Sequence, residues 1–305
     1  MTAIGRDLKP PPTTNADGCH LCGDRGRTVL RREKGHEIVE CTACGLRYLH
    51  PQPPVHETEE LYSEHYFQST DALGRGYEGY TEQADNLRAT FRDRLRFLPQ
   101  PTPDQRLLDV GAAAGFFVEQ ARLVGWNAEG IEPSRWAAAY ARDNVGVPVR
   151  EGILDATSFP SNSFDVITFW EVIEHLPDPS GFLKQVARVA KPGALVFLST
   201  PDSGSTVARL LGRNWLGWRK IPEHLFFFDK RSLVRLLDQA GLDVVDARYV
   251  TLTVTWPYAL ERLGASLGLG RTAFRWLSRI LHRRSVRINC FYDLMIVARV
   301  RKQVA

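Results

Sequence analysis

The chain has 305 residues, enough for one large domain or two unequal ones, and its 44% hydrophobic and 24% charged content is that of an ordinary globular protein. No run approaches the roughly 18 uninterrupted apolar residues of a membrane-spanning helix, and MTAIGRDLKPPPTTNADG at the N-terminus lacks the apolar stretch of a secretory signal. The net charge of +4 is uneven: residues 259–305 carry ten Lys/Arg against two Asp/Glu, a balance of +8 that leaves −4 for the first 258. The whole is therefore not a basic nucleic-acid binder, and an anionic partner would meet the C-terminal fifth. Residues 1–18 are expected to form a flexible leader and the protein to be cytoplasmic.

The first element is a cysteine module. Cys19/Cys22 and Cys41/Cys44 form two C-x2-C pairs, separated by eighteen residues and each followed by glycine, Gly23 and Gly45. Between them TVLRREKGHEIVEC predicts two short strands around a turn at Lys34 and Gly35, a zinc ribbon over residues 19–50. Four thiolates close a tetrahedral site, so Zn2+ there would be structural, and metal binding of about 10–16 kcal/mol would hold so small a core. The alternative is redox-active or merely paired cysteines. His20 and His36 are close by, but the cysteines already fill four positions. Cys290 stands alone in an apolar strand and reads as a small buried hydrophobe.

Residues 51–98 read as linker and helical cap. LHPQPPVHE is extended; Tyr62 and Tyr66 would line a substrate entrance or pack in the core. Over 82–98, Leu87, Phe91, Leu95 and Leu98 recur at helical spacing and predict a helix packed on the following domain. From about residue 105, RLLDVG, NAEGIE, VPVRE, FDVITFW and ALVFLST alternate with helical stretches. That pattern predicts an α/β fold over 99–305, a doubly wound, mostly parallel seven-stranded Rossmann-like sheet with its ligand at the carboxyl ends of the strands.

The strand end LLDVGAAAGFF resembles the D-x-G-x-G-x-G of class I S-adenosylmethionine-dependent methyltransferases, with Ala113 in place of the middle glycine. GIEPS and EGILDATSFPSNSFDVI follow in register, and the resemblance covers roughly residues 100–255. It implies S-adenosyl-L-methionine as cofactor. Asp109 would hold the donor's ammonium, and Gly111, Ala113 and Gly115 would form the loop beside its methionine part. Glu132 would accept from the ribose diol. Leu154 or its neighbours would flank adenine, Trp170 would add to the donor site, and Asp155 would lie near the adenine amino group or serve only as a loop carboxylate. The C-x2-C-G pairs also resemble bacterial zinc-ribbon methyltransferases, many attached to glycan or secondary-metabolite pathways.

EVIEH, residues 171–175, follows the fourth strand at the reacting edge, and Glu171, Glu174 and His175 have the i, i+3, i+4 spacing of one helical face. Downstream, P-E-H before an aromatic run puts His224 in the loop after the fifth strand. E-x-x-E-H with a later histidine resembles ubiquinone-pathway O-methyltransferases and small-RNA 2′-O-methyltransferases. The resemblance implies that Glu171, Glu174, His175 and His224 ligate Mg2+ or a similar ion; Mn2+ and Zn2+ also suit mixed N/O ligands. Two other readings stay open: His175 or His224 as a metal-free general base, and Glu174 with His175 stabilising the turn before LPDP. Trp215, Trp218 and Arg219, just before His224, would stack on an acceptor or anchor the loop.

A basic helical insertion is expected at about 256–288. RTAFRWLSRILHRRSVR sets Phe274, Leu277 and Leu281 on one face, with Arg275, Arg279, Arg283 and Arg284 largely elsewhere. It could lie on an anionic membrane peripherally, contact phosphates of a nucleic acid or a lipid-linked sugar, or form a lid. The last strand is expected at 289–300. These readings converge on a methyltransferase (EC 2.1.1) acting on a hydroxyl of a small molecule or glycan, with a divalent metal assisting. The alternatives are an RNA methyltransferase and a non-catalytic scaffold of this fold. Acceptor identity and oligomeric state are not legible.

Overall fold

The computed structural model describes residues 18–54, 83–267, 269, 280–281 and 284–302. The expected leader, Tyr62 and Tyr66 lie outside those residues. So do Phe274, Arg275, Leu277, Arg279 and Arg283 of the basic insertion, and the side chain of Cys290.

Among the described residues the strands form two sheets. In the smaller, β1 (Arg27–Glu33), β2 (His36–Cys41) and β3 (Arg47–His50) run antiparallel. The turn falls at Lys34 and Gly35 as expected, both at positive φ (49° and 81°), the conformation that joins two twisted strands most tightly. The fourth strand of this ribbon, pairing with β3, is the two-residue segment Phe226–Phe227 from the other end of the chain.

The larger sheet is built from α1 (Ala84–Leu95), β4 (Arg106–Val110), α2 (Phe116–Leu123), β5 (Asn127–Glu132), α3 (Arg135–Tyr140), β6 (Val149–Glu151), β7 (Phe164–Trp170), α4 (Pro179–Val189), β8 (Ala190–Pro201) and α5 (Thr206–Leu211). β9, the ribbon's borrowed strand, comes next. The chain ends in α6 (Lys230–Gln239), β10 (Leu242–Thr255), α7 (Trp256–Ser266) and β11 (Ser285–Val300). The strand order is β10-β11-β8-β7-β4-β5-β6; β4 to β8 run parallel, and β11 is antiparallel to both neighbours. From β4 the chain winds outward to β6, then returns to β7 on the other side, so the winding reverses at β4 and β7. In a doubly wound sheet the carboxyl ends at that reversal form the ligand crevice. The α/β fold with a small N-terminal ribbon is as the sequence predicts.

Local chemistry sets the helix starts. Asp178 caps α4 by accepting from the Gly181 amide at 2.9 Å, with Pro179 in the first turn, and Asp229 with Ser232 forms a capping box at α6. α1 departs from its apolar pattern. Phe91 faces Phe117 of α2, ring centroids 5.5 Å apart, but the side chains most deeply buried on α1 are Asn86, Thr90 and Arg94. Each is matched across the interface with the terminal hairpin: Ser285 Oγ donates to Asn86, the Thr253 amide to Thr90, and Arg94 pairs with Asp293 at 2.7 Å. β11 starts at Ser285, four residues before the expected 289, because β10 continues to Thr255 and needs Ser285–Asn289 as its partner.

Candidate active site

The donor edge is assembled from three strand ends. Asp109, the penultimate residue of β4 and two residues before Gly111, is 2% exposed and accepts from Thr168 Oγ1 on β7 at 2.6 Å. Burial pushes its pKa up to about 8, against the pull of that hydrogen bond. Glu132, ending β5, accepts from the Ala113 amide on one carboxylate oxygen and the Ser134 amide on the other, both at 2.9 Å. Each oxygen keeps a second lone pair, enough to receive a diol. Its pKa is up to about 7, again by burial. Gly111 and Gly115 both hold left-handed φ. A Cβ at Gly111 would come 2.7 Å from Val172, and one at Gly115 2.6 Å from Val147, so close packing within the protein already demands both glycines. Ala113 takes φ +48° without being glycine.

EVIEH does not form one helical face. Glu171 adopts φ +54°, and only Ile173–His175 make a single 3-10 turn. The reversal at Glu171 takes its side chain out of the helical register with Glu174 and His175, and Oε1 accepts from Ser199 Oγ at 2.8 Å. Its carboxyl, buried and beside Asp293 and Glu174, is pushed well above the usual range. Glu174, His175 and His224 do converge, with ligand atoms all within 4.8 Å of one another; Glu171 is not among them. The loop after β8 folds back to bring His224 in, its ring edge-on to His175 at 4.7 Å between centroids.

Hydrogen bonds orient these groups. The Glu223 carbonyl, which can only accept, lies 3.0 Å from His175 Nδ1; that nitrogen carries the proton and Nε2 presents its lone pair. Thr200 Oγ1 donates to Glu174 Oε2 at 2.9 Å. Glu174 Oε1, fully buried, has no hydrogen-bond partner and faces His175 Nε2 at 3.9 Å. Burial lowers His175 to about 4 and drives His224 well down, helped there by His175, Lys220 and Arg262, while burial raises Glu174 to about 8. Both imidazoles are therefore neutral at pH 7, the form that ligates a cation, and the orphaned buried oxygen beside His175 fits one.

The family described as a methyltransferase domain matches residues 80–247. The ubiquinone biosynthesis O-methyltransferase of Hahella chejuensis is 33% identical over 182 residues, covering 54% of this chain and 72% of the relative. That of Thiobacillus denitrificans is 30% identical over 183 residues, covering 55% and 78%. The chain belongs to the methyltransferase domain family. Its fold is similar to that of a chain from the complex of the Haloferax volcanii Trm112 methyltransferase activator with a methyltransferase (TM-score 0.55, 18% identity, 74% of this chain and 94% of that one). A SAM-dependent methyltransferase from Archaeoglobus fulgidus is comparably similar (TM-score 0.52, 17% identity, 77% and 100%). The protein is an S-adenosylmethionine-dependent methyltransferase.

In this methyltransferase the remaining expected residues divide by neighbourhood. Leu154 is largely buried in the cluster that holds Ile131 and Phe159, while its neighbour Ile153 is exposed. Asp155 Oδ1 accepts from the Thr157 and Ser158 amides and from Thr157 Oγ1, which shapes its own loop. Trp170 stands at the end of β7 against Phe117 and under the Arg94 guanidinium. Trp215 is buried edge-on to Trp218, which in turn packs on Phe227, so the pair anchors the His224 loop. Sequence reasoning missed Thr168, Ser199 and Thr200, the hydroxyls that orient the three carboxylates; polar residues inside apolar strands were the available signal.

The four ribbon cysteines, Cys19, Cys22, Cys41 and Cys44, are free thiols with Sγ atoms within 4.8 Å of one another, Cys19–Cys44 at 3.4 Å and Cys22–Cys41 at 3.5 Å. Sulfurs about 2.3 Å from one tetrahedral ion sit about 3.8 Å apart, so the constellation fits Zn2+. Gly23 N bonds the Cys19 carbonyl and Gly45 N the Cys41 carbonyl, two matching knuckles. Burial raises Cys19 to about 11 and Cys44 further still, a thiol-favouring environment that a bound dication would reverse.

Proposed function

We propose that this methyltransferase transfers its methyl group to a hydroxyl oxygen of a small molecule or glycan beside Glu174, His175 and His224, and that these three side chains hold a divalent cation. The observation that carries the reading is Glu174 Oε1, buried without a hydrogen-bond partner and 3.9 Å from His175 Nε2, in a cluster whose third member is His224. The O-methyltransferase relatives support a hydroxyl acceptor. Two nitrogens and one carboxylate suit Mn2+ or Zn2+ better than Mg2+, which prefers oxygen ligands throughout. A cation there would lower the pKa of the acceptor hydroxyl.

The chain's own residues supply the rest. Asp109 receives the donor's ammonium, Glu132 its ribose hydroxyls, and the Gly111–Gly115 loop its methionine part, which aims the methyl carbon along the carboxyl edge. The acceptor oxygen attacks that carbon, the carbon–sulfur pair leaves with sulfur, and the hydroxyl proton passes to solvent. Thr200 and the Glu223 carbonyl keep Glu174 and His175 in place. Cys19, Cys22, Cys41 and Cys44 hold a structural Zn2+ in the same proposal.

The test is brief chelation that leaves ribbon zinc in place by elemental analysis. Methyl transfer should vanish and return with Mn2+, more weakly with Mg2+. Full activity after chelation would refute the cation and leave a histidine as base.

A further inference from the structure

The ribbon and the reacting edge are one hydrogen-bonded structure. The Leu225 peptide, next to His224, is gripped from both sides: its carbonyl accepts from the ribbon's Leu49 amide at 2.8 Å, and its amide donates to the Glu174 carbonyl at 2.8 Å. Leu49 lies in β3, which begins two residues after the Cys44 knuckle, and the next pairs along are Tyr48 with Phe226 and Arg47 with Phe227. At the ribbon's opposite end the turn residue Lys34 donates to the carbonyls of Arg219 and Ile221 at 3.3 and 3.2 Å, and Arg31 to that of Arg213 at 2.6 Å. His20, inside the first cysteine pair, packs edge-on to Phe226 at 5.0 Å.

A short loop gains little order from two residues of sheet pairing unless the partner strand is itself fixed. Here β3 follows directly from the second knuckle, and a ribbon with so few core residues depends on its ion for rigidity. We propose that the metal-loaded ribbon positions His224: it is the fixed strand against which the 221–228 loop is set, so that loss of the ribbon's ion releases His224 from His175 and Glu174 while β4 and β5 keep the donor site. Lys34, in no contact with the reacting groups through its own side chain, is a positioning residue in this scheme. The proposal rests on reading His224 as a site residue, but its test does not require a cation at that site.

Amide exchange read by mass spectrometry on the full chain separates the possibilities. Mercurial titration of the four ribbon thiols in a Cys290→Ser chain, with zinc release followed by an indicator dye, should speed exchange over 221–228 by about tenfold or more, with less than about a twofold change over 127–132 in β5. Zinc release with 221–228 unchanged would overturn the proposal. If the stripped chain unfolds as a whole, the Lys34→Ala variant decides: with four cysteines and zinc intact, exchange over 219–225 should rise about threefold, and no rise overturns the proposal. Mn2+ affinity, measured alongside, should fall about tenfold on zinc release. An untreated protein that binds no Mn2+ refutes the cation site, while the exchange result still judges the coupling.

Discussion

Ala113 holds a left-handed φ of +48° where the related loops carry glycine, and an L-residue there costs about 1–2 kcal/mol. Ala113→Gly should therefore raise stability by about 0.5–1 kcal/mol in urea unfolding and leave donor affinity equal or tighter. At Asp109 the prediction concerns protons. Its folded pKa of about 8 lies above the unfolded value near 4, so the folded chain binds the proton more tightly and stability falls as pH rises across that window. Glu132 and Glu174, raised to about 7 and 8, act in the same direction. His175, lowered to about 4, acts oppositely, losing stability as pH falls from about 6.5 to 4. Above pH 6.5 Asp109, Glu132 and Glu174 act together, so the donor-free protein should lose thermal stability between about pH 6.5 and 8, and Asp109→Asn should flatten that decline. With Asp109 receiving the donor's ammonium as proposed, donor binding should release protons near pH 7, seen as calorimetric heats that vary with the buffer's ionisation enthalpy.

At the scale of elements, two contacts hold the reacting edge. Thr200 on β8 orients Glu174, and Thr200→Val should weaken Mn2+ binding by about 10–100-fold while donor affinity is kept. The second is the Arg94–Asp293 pair between α1 and β11, each partner about 3% exposed. Removing one partner leaves a buried charge alone. Arg94→Ala should cost about 3–5 kcal/mol, whereas Arg94→Met combined with Asp293→Leu should cost far less than either single change. A double-mutant cycle in urea checks this. Such a pair also explains why an apolar stripe located α1 but not its more buried face.

Across the whole molecule the ribbon and the α/β sheet share one packing cluster, in which Ile38, Val39 and Leu49 join Phe226, Ile167 and Leu198. A cleft of about 680 Å³ is lined by Asp202, Arg209, Asp229, Lys230, Arg235 and Tyr249 among others, none of them a residue of the candidate active site. No helix among the described residues is long and apolar enough to cross a membrane.

The sequence by itself determined the elements whose cause is local. Buried parallel strands read as apolar runs and C-x2-C-G spacing read as two knuckles, while Asp109, Gly111, Gly115 and Glu132 were legible through the resemblance of their local motifs, which fall near the ends of β4 and β5 and at the start of α2. EVIEH was legible as a feature of the reacting edge. Its geometry was not, because one positive φ at Glu171 reverses the chain, and helical spacing assumes that φ stays negative. Only the tertiary structure decided which carboxylate joins His175 and His224, that Leu154 is core, and that a ribbon strand pairs beside His224. Those outcomes depend on contacts between residues as far apart as Leu49 and Leu225, whose meeting is set by the packing of two sheets rather than by any signal within either segment.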